Sequence, residues 1–431
     1  MDTGKNILIV TGSDYTDPVY KAFNDVKELG HKVYLLSDGS FEPRPGVFEK
    51  HFSYDLRKTK EVLDYMTNQP EKFDAVTIKT SEWLTPLVAL LAKQYGCIGN
   101  EPIVAFNCRS KYHMRKELEK GNVPIPKFKL CKNYEELIEG IKEIKTPCVA
   151  KPVGGNASYG TFMIRDEKDL ETLKENYENS IKFLKEKAID GDVFAFNKEE
   201  MDLIGVDDHV DMITDYLVEE YMDGHEISID SFVQNGKVTM MGVEDQIRMT
   251  YPYFMQLAAR LPYIYKEGEK EVIQKLLEDT MKAMNIQNSA THTEIMFTSQ
   301  GPKIVELGCR IGGDDLHETI LEVTGYNLMY ESIMIALGIP REYDVQTKCH
   351  TMTTVIMPER TGTITSINIP EELKNNKNIF NIDTIVNIGD KVGTPPERFD
   401  YIGYISGKGS TPEEAEKNTN EGLKLLEITI E

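Results

Sequence analysis

No pair of the six cysteines, Cys97, Cys108, Cys131, Cys148, Cys309 and Cys349, is spaced as a CxxC motif or as a metal-ligand set. That excludes a zinc module and a disulfide framework, and it predicts buried free thiols in a reducing compartment. No apolar stretch approaches the ~20 residues that a membrane-spanning helix requires. The opening MDTGKNILIV is too short an apolar run for a secretory leader and reads as a first strand, so a cytoplasmic location is expected. Positive charge is scarce: 49 Lys and Arg stand against 71 Asp and Glu, a net charge of −22. Such a field repels phosphate backbones and anionic lipid, which argues against nucleic-acid and membrane partners. A few local lysines with a metal ion can still admit an anionic nucleotide into one cleft. Repeats of solenoid or propeller period are absent too, as are low-complexity tracts.

What is present is an alternation of strands and helices. KNILIV (5–10), a helix from Pro18 to Leu29 stopped by Gly30, and HKVYLLS (31–37) make a βαβ unit, which implies a parallel sheet. FDAVTIKT (73–80) and a helix near 83–95 continue it. No GxGxxG follows the first strand, so Gly12 is taken as a turn glycine and no dinucleotide site is expected. A helix over 110–120 is followed by the extended NVPIPKFKL (122–130), a helix at 133–144 and the strand TPCVAKPV (146–153). The stretch 168–214 reads as acidic and mostly helical. Strands are predicted at 215–222, in a hairpin about Asn235–Gly236, and at 291–298 and 302–309. An irregular stretch is expected at 244–266 and a helix at 269–284. Helices follow at about 314–337, then short strands and a final helix at 411–424.

Four constellations carry chemistry. In AKPVGGNASYGTFMI (150–164), Lys151 ends an apolar strand and a loop follows with Gly154, Gly155, Ser158, Tyr159 and Gly160. Glycines let backbone N–H groups approach phosphate oxygens, and a lysine adds a point charge. An ordinary glycine hairpin is the competing reading. In LVEEYMDGHEISID (217–230), Glu219, Glu220 and Glu226 could accept from an adenine amino group and ribose hydroxyls, with Tyr221 and the Met222 backbone beside the ring. A solvated acidic hairpin edge competes with that.

The third constellation is the hairpin carrying His292, Glu294 and, twelve residues on, Glu306. Period-two alternation puts His292 and Glu294 on one face with Glu306 on the adjoining strand. Paired carboxylates in apolar surroundings are natural ligands for Mg²⁺, which completes its shell with water and phosphate oxygens. An exposed hairpin face is the alternative. The fourth is Arg310 followed by Gly312 and Gly313, where a guanidinium fork suits a carboxylate or its acyl-phosphate. A structural Arg–Glu pair is the alternative there.

In this order along the chain, these segments resemble the ATP-grasp superfamily, and within it the carboxylate–amine ligases of the L-amino-acid (dipeptide) ligase type. The likeness covers roughly 5–340. It implies an N-terminal parallel-sheet α/β domain (1–110), a lid and nucleotide subdomain (111–230), a catalytic and metal subdomain (231–345) and a small C-terminal α+β domain (346–431). It also implies that Lys111, in CRSKYHMRKELEKGNVPIPKF, and Lys151 touch nucleotide phosphates under a mobile 154–160 loop. By the same matching Glu219 takes the adenine amino group, Met222 the ring and Glu226 the ribose. Glu294 and Glu306 hold one or two Mg²⁺, with Mn²⁺ able to substitute, and Arg310 steadies the reacting carboxylate. Gly308 stands where many ATP-grasp enzymes carry Asn, as in the amino-acid ligase branch, and it leaves a second metal in question.

The implied reaction is phosphoryl transfer from ATP to a carboxylate, then attack by an amine. Partners are small-molecule acids and amines, and a homodimer is compatible with the family. His292 is near the site without an assigned general-base role. Glu244, Arg248 and Gln256, in the aromatic stretch EDQIRMTYPYFMQLAARLPYIY (244–265), are candidate substrate contacts. An ATP-grasp carboxylase of the biotin or purine-pathway kind shares the nucleotide site, but the loop is less glycine-dense than biotin carboxylation leads one to expect. A carbamoyl-phosphate synthase needs a duplicated core. A non-catalytic nucleotide-binding protein predicts missing metal ligands, and these are present.

Overall fold

The unbroken apolar run of β1 (Asn6–Thr11) has to be covered on both faces, and it is. In the computed structural model, which describes residues 4–155, 160–190, 195–249, 254–313, 315–394, 398 and 400–431, β1 lies inside a parallel sheet. Its neighbours are β2 (Lys32–Ser37), β3 (His51–Ser53) and β4 (Ala75–Ile78), in the order β3-β2-β1-β4. Helix α1 (Asp17–Glu28) packs on the Ile7 and Ile9 face through Phe23 and Val26. Helices α2 (Thr59–Thr67) and α3 (Thr85–Tyr95) cover Leu8 and Val10 on the other. A 3-10 turn at Glu82–Leu84 precedes α3, and α4 (Pro102–Arg109) follows it. The carboxyl ends of β1 and β4, the edge where open α/β sheets take ligands, face the rest of the molecule.

A second, antiparallel sheet has the order β5-β8-β6-β7. It comprises β5 (Phe128–Cys131), β6 (Cys148–Pro152), β7 (Phe162–Ile164) and β8 (Tyr216–Glu220). Helix α5 (Lys111–Lys120) leads into it. Helix α6 (Tyr134–Ile144) is capped by Asn133, whose side chain accepts the Glu136 N–H at 2.9 Å. Helix α7 (Leu173–Asp190) backs the face carrying Cys148, Ala150 and Val218. A reciprocal capping box between Asn197 and Glu200 starts α8 (Lys198–Ile204).

The largest sheet has eight strands, β13-β12-β9-β10-β11-β14-β18-β16. The hairpin β9 (Gly224–Gln234) and β10 (Lys237–Met249) turns at Asn235 and Gly236, with φ of 51° and 78°, the positive values a two-residue turn needs. Next come β11 (Met255–Leu261), α9 (Glu269–Ala283), β12 (Asn288–Thr298) and β13 (Gly301–Gly308). One face of this sheet is apolar. Ile227, Ile229, Val243, Ile295 and Leu307 pack there against Leu276, Leu277 and Met281 of α9 and Met114 and Leu118 of α5. The opposite face carries Glu226, Ser228, Asp230, His292 and Glu294. Farther along the same face, Phe232 packs against helices α10 (Leu316–Thr324) and α11 (Leu328–Ala336), which also bury α1.

Beyond α11, strand β14 (His350–Ile356) does not begin a separate sheet but pairs with β11, Ala258 to Thr354 through Leu261 to Thr351. Strands β15 (Gly362–Asn368), β17 (Lys391–Val392) and β19 (Glu427–Ile430) form a small sheet of their own, with α12 (Glu371–Lys374) after β15. Strands β16 (Ile379–Thr384) and β18 (Gly403–Gly409) extend the large one, and α13 (Pro412–Leu423) packs across β14 and β18.

One sequence expectation is corrected here. The stretch 244–266, expected to be irregular, holds the end of β10 and all of β11, whose ladder shifts register between Ile247 and Arg248; the shift breaks the alternation that would have announced the strands. Asp230 and Ser231 are consecutive residues of β9, and β14, beginning at His350, is hydrogen-bonded to β11 of the large sheet. The short β3, α2 and α4 were not foreseen. No helix among the described residues is long and apolar enough to cross a membrane.

Candidate active site

The site is built where the polar face of the large sheet, the second sheet and the α4–α5 junction meet. Glu294 and Glu306 are direct cross-strand partners, so their side chains leave the same face side by side. Next to them the register slips by one residue, leaving Val305 as a bulge on β13. The row continues through Ser228 on β9 to Glu244 on β10. Such a concentration of carboxylates needs cations, and the fold supplies them.

Lys111, at the start of α5 and 8% exposed, reaches Glu306 Oε1 at 2.9 Å. Arg248 Nη2 lies 3.0 Å from Glu226 Oε1 as an ion pair and donates to Glu294 Oε1 at 3.5 Å. His292 Nδ1 lies 2.8 Å from Asp230 Oδ1, and its Nε2 lies 3.9 Å from Glu294. Burial works against its charge, but Asp230 and Glu294 outweigh it and push the imidazole up to about 9. These two carboxylates favour the charged form of His292. Glu226 is the opposite case: burial, with Glu294 adding to it and Arg248 opposing, pushes its carboxyl up to about 7.

On the second sheet, Lys151 and Glu219 share a face and pair at 2.6 Å. Arg115 of α5, 1% exposed, donates from Nε and Nη2 to the two Glu219 oxygens at 2.8 and 3.3 Å, and from Nη2 to the bulged Val305 carbonyl at 2.8 Å. Burial raises the Glu219 carboxyl, but Arg115 and Lys151 outweigh it and hold it down at about 2. Burial also lowers the Lys151 ammonium, with Glu219 opposing. Both Glu219 oxygens meet buried cations, so Glu219 holds Lys151 in place. Glu220 turns outward to Lys303 at 2.9 Å, and Tyr221 and Met222 lie half-buried in the connection from β8 to β9.

The loop glycines also differ from expectation. The Gly154 N–H donates to the Met212 carbonyl at 2.8 Å, and a Cβ there would meet Met212 atoms at 2.7 Å. The Gly154 carbonyl accepts from Arg109 Nη2, and the Gly155 carbonyl from Lys111 Nζ at 2.5 Å. These two glycines fasten the root of the loop. Gly160, at φ 71°, closes the loop on the far side. Ser158 and Tyr159 lie outside the described residues.

Arg310 donates from Nε and Nη2 to Glu82 Oε2 at 3.2 and 2.7 Å, and from Nη1 to the Ile311 carbonyl at 3.0 Å. Arg109 approaches the other Glu82 oxygen at 3.9 Å. Burial raises Glu82, but Arg310, Arg109 and Lys111 outweigh it and bring it to about 2. The Gly312 N–H is taken by Asp230 at 2.9 and 3.1 Å, and a Cβ would strike His292 and Leu316. Gly312 therefore serves the His292–Asp230 pair, whereas Gly313 has open space where a Cβ would stand. Glu244, 5% exposed, accepts from Ser228 Oγ at 3.1 Å and Gln246 Nε2 at 2.7 Å, and Gln256 lies opposite Arg248 on β11.

The structure thus gathers Lys111, Lys151, Glu226, His292, Glu294, Glu306, Arg248 and Arg310 at one place. Sequence reasoning missed Glu82, Arg109, Arg115 and Asp230. Glu82 had a usable signal, an acidic residue just past the carboxyl end of a parallel strand. Among the described residues no three His, Cys, Asp or Glu side chains converge as a metal cage. Two adjacent carboxylates fit Mg²⁺, which keeps its remaining positions for water and phosphate oxygens.

Comparison with known proteins decides the lineage. Residues 144–318 match the ATP-grasp domain, and residues 354–431 match the L-amino acid ligase C-terminal domain 2. Residues 144–318 are thus an ATP-grasp domain. The chain is similar to alanine–anticapsin ligase of Bacillus subtilis (strain 168), 24% identical over 318 residues, covering 70% of this chain and 62% of that protein. The chain therefore spans less than two thirds of the length of that relative. Among solved structures, L-amino acid ligase from Bacillus licheniformis superposes with a TM-score of 0.81, 22% identity and 100% coverage of both chains. The biotin carboxylase domain of Hydrogenobacter thermophilus 2-oxoglutarate carboxylase, in complex with MgADP, ADP and bicarbonate, gives 0.70 at 18% identity over 100% of this chain and 92% of that one. Both likenesses show the ATP-grasp fold. The C-terminal match is to a domain of the L-amino acid ligases.

Proposed function

We propose that this ATP-grasp protein is an ATP-dependent carboxylate–amine ligase that joins an amino acid or related acid to an amine and releases ADP and phosphate. The observation that carries the reading is the Glu294–Glu306 pair, flanked by Lys111 and Arg310 on one polar sheet face. In this reading Glu294 and Glu306 hold Mg²⁺, which would neutralise phosphate charge. Lys111 and Lys151 face the nucleotide phosphates, with Lys151 held ready by Glu219 and Arg115. Tyr221 and Met222 border the base. Arg310, steered by Glu82, orients the reacting carboxylate, and the charged His292 stabilises negative charge developing beside it. Asp230 keeps that imidazole protonated and aligned. Arg248 and Gln256 border the acid pocket from β10 and β11. The loop rooted at Gly154 and Gly155 keeps water from the activated acid. Substrates are small molecules, and cytoplasmic residence and a homodimer accord with this reading.

The test is ADP and phosphate release from Mg-ATP across pairs of amino acids, with mass detection of products and Glu306→Ala as control. ADP formed only with particular pairs, beside a mass equal to their sum less water, supports the ligase and names its substrates. Turnover with bicarbonate or with one acid alone would transfer the protein to an acid-activating or carboxylase chemistry.

A further inference from the structure

Cys108 and Cys309 are 201 residues apart in sequence, yet their sulfurs lie 3.2 Å apart in the interior. Cys108 is in the last turn of α4, and Cys309 directly follows β13. Each immediately precedes an arginine that meets the same carboxylate: Arg109 and Arg310 flank Glu82 at 3.9 and 2.7 Å. The sulfur pair therefore sits directly behind the cationic clamp of the active site. Three residues past Cys108, Lys111 holds Gly155 and Glu306.

Cys309 lines a cavity of about 60 Å³ between the N-terminal sheet and the large one, together with Thr77, Thr85, Asn100, Ser332 and Arg310. The Ser332 hydroxyl and the Asn100 carbonyl oxygen are buried without a protein hydrogen-bond partner, so this is a polar space suited to small hydroxylic molecules. Hydrogen peroxide is of that size and hydrogen-bonding character. The other four cysteines form no such pair in the structure. Cys97 and Cys349 are partly exposed, and Cys131 and Cys148 lie in the core of the second sheet.

We propose that Cys108 and Cys309 form an oxidative modification site, at which peroxide entering the cavity closes a disulfide across the active-site clamp. Cys309 gives up its proton as its sulfur attacks one peroxide oxygen, the O–O bond breaks, and the departing hydroxide takes that proton, leaving Cys309 sulfenic acid and one water. The Cys108 sulfur then displaces the sulfenic hydroxyl, which leaves as a second water with the thiol proton. Two thiols lose two electrons and one peroxide gains them. A dithiol such as dithiothreitol reverses the bridge by thiol–disulfide exchange. Closing 3.2 Å to a bond of about 2.05 Å draws α4 and the end of β13 together and ties them covalently. Arg109, Lys111 and Arg310 then lose their freedom to adjust around nucleotide and substrate. Misplacement of such groups by about 1 Å can cost a hundredfold in rate.

The experiment treats the full chain with hydrogen peroxide, blocks remaining thiols and maps peptides without reduction. Mg-ADP binding is followed by calorimetry in reduced, oxidised and re-reduced protein. The expected result is a linked peptide pair containing Cys108 and Cys309, with affinity at least tenfold weaker and restored by dithiothreitol. Cys108→Ala, and independently Cys309→Ala should the first fold poorly, should bind Mg-ADP with or without peroxide. Oxidation confined to Cys97 and Cys349 would overturn the site, and a linked pair with unchanged affinity would overturn its effect. Reduced protein that binds no nucleotide would count against the ligase reading, while the linked peptide still decides the sulfur chemistry.

Discussion

Two acidic residues on neighbouring sheets, Glu219 and Glu226, are both nearly buried, yet their surroundings drive them in opposite directions. Glu219 is enclosed by Arg115 and Lys151 and stays ionised down to about 2. Glu226 shares one arginine with Glu294 and is pushed up to about 7. The first is a closed account of charge that fixes geometry. The second belongs to an acid-rich cluster whose positive partners are too few, which is how a place for a further cation is kept open. Two carboxylates one sheet apart are thus set in opposite electrostatic surroundings.

That contrast can be broken most forcefully in the acid-rich cluster. Glu306→Ala or Glu294→Ala should lower ATP-dependent turnover by roughly a thousandfold, while the urea midpoint changes little. A large stability loss with turnover intact would reverse the assignment. At the closed account, Glu219→Ala leaves Arg115 and Lys151 buried without their anion and should cost about 3–5 kcal/mol in urea unfolding. A loss below 1 kcal/mol would mean that water enters the pair.

The same residue has an acid signature. Its folded value lies below the ordinary carboxylate value of 4.5, so its contribution is complete above about pH 4.5 and drains away as pH falls toward about 2. The stability difference between the parent chain and Glu219→Gln should therefore be constant near pH 6 and shrink below 4.5. A difference that grows on acidification would contradict the ion pairing. The smallest effect is expected at Glu226→Gln, under about 1 kcal/mol in stability, because the parent group already gives up much of its charge near neutrality. A cost like that of Glu219 would erase the distinction.

What could be read from the sequence follows the same division. Period-two alternation placed His292, Glu294 and Glu306 on one face, because the ladder of β12 and β13 is local. The parallel opening sheet was legible in the runs at 6–11 and 32–37 for the same reason. The charge partners were not. Arg115 meets Glu219 across 104 positions and Arg310 meets Glu82 across 228, and no local pattern encodes either meeting. Without them Glu219 looked like a free acceptor. Gly154, Gly155 and Gly312 looked like ligand cradles because a glycine in sequence does not reveal which of its backbone groups are already spent. Strand β11 was hidden by the register shift beside Arg248.

The pairing of β11 with β14 has a consequence for anyone recombining this molecule with a related one. A crossover between α11 and β14 looks like a natural seam, but it would part four consecutive rungs, Ala258–Thr354 to Leu261–Thr351, in the middle of an eight-stranded beam. Unless the incoming strand matched that register, each fragment would present a long unpaired edge, and such edges recruit other chains. Chimeras exchanged there should fail by aggregation before they fail in chemistry.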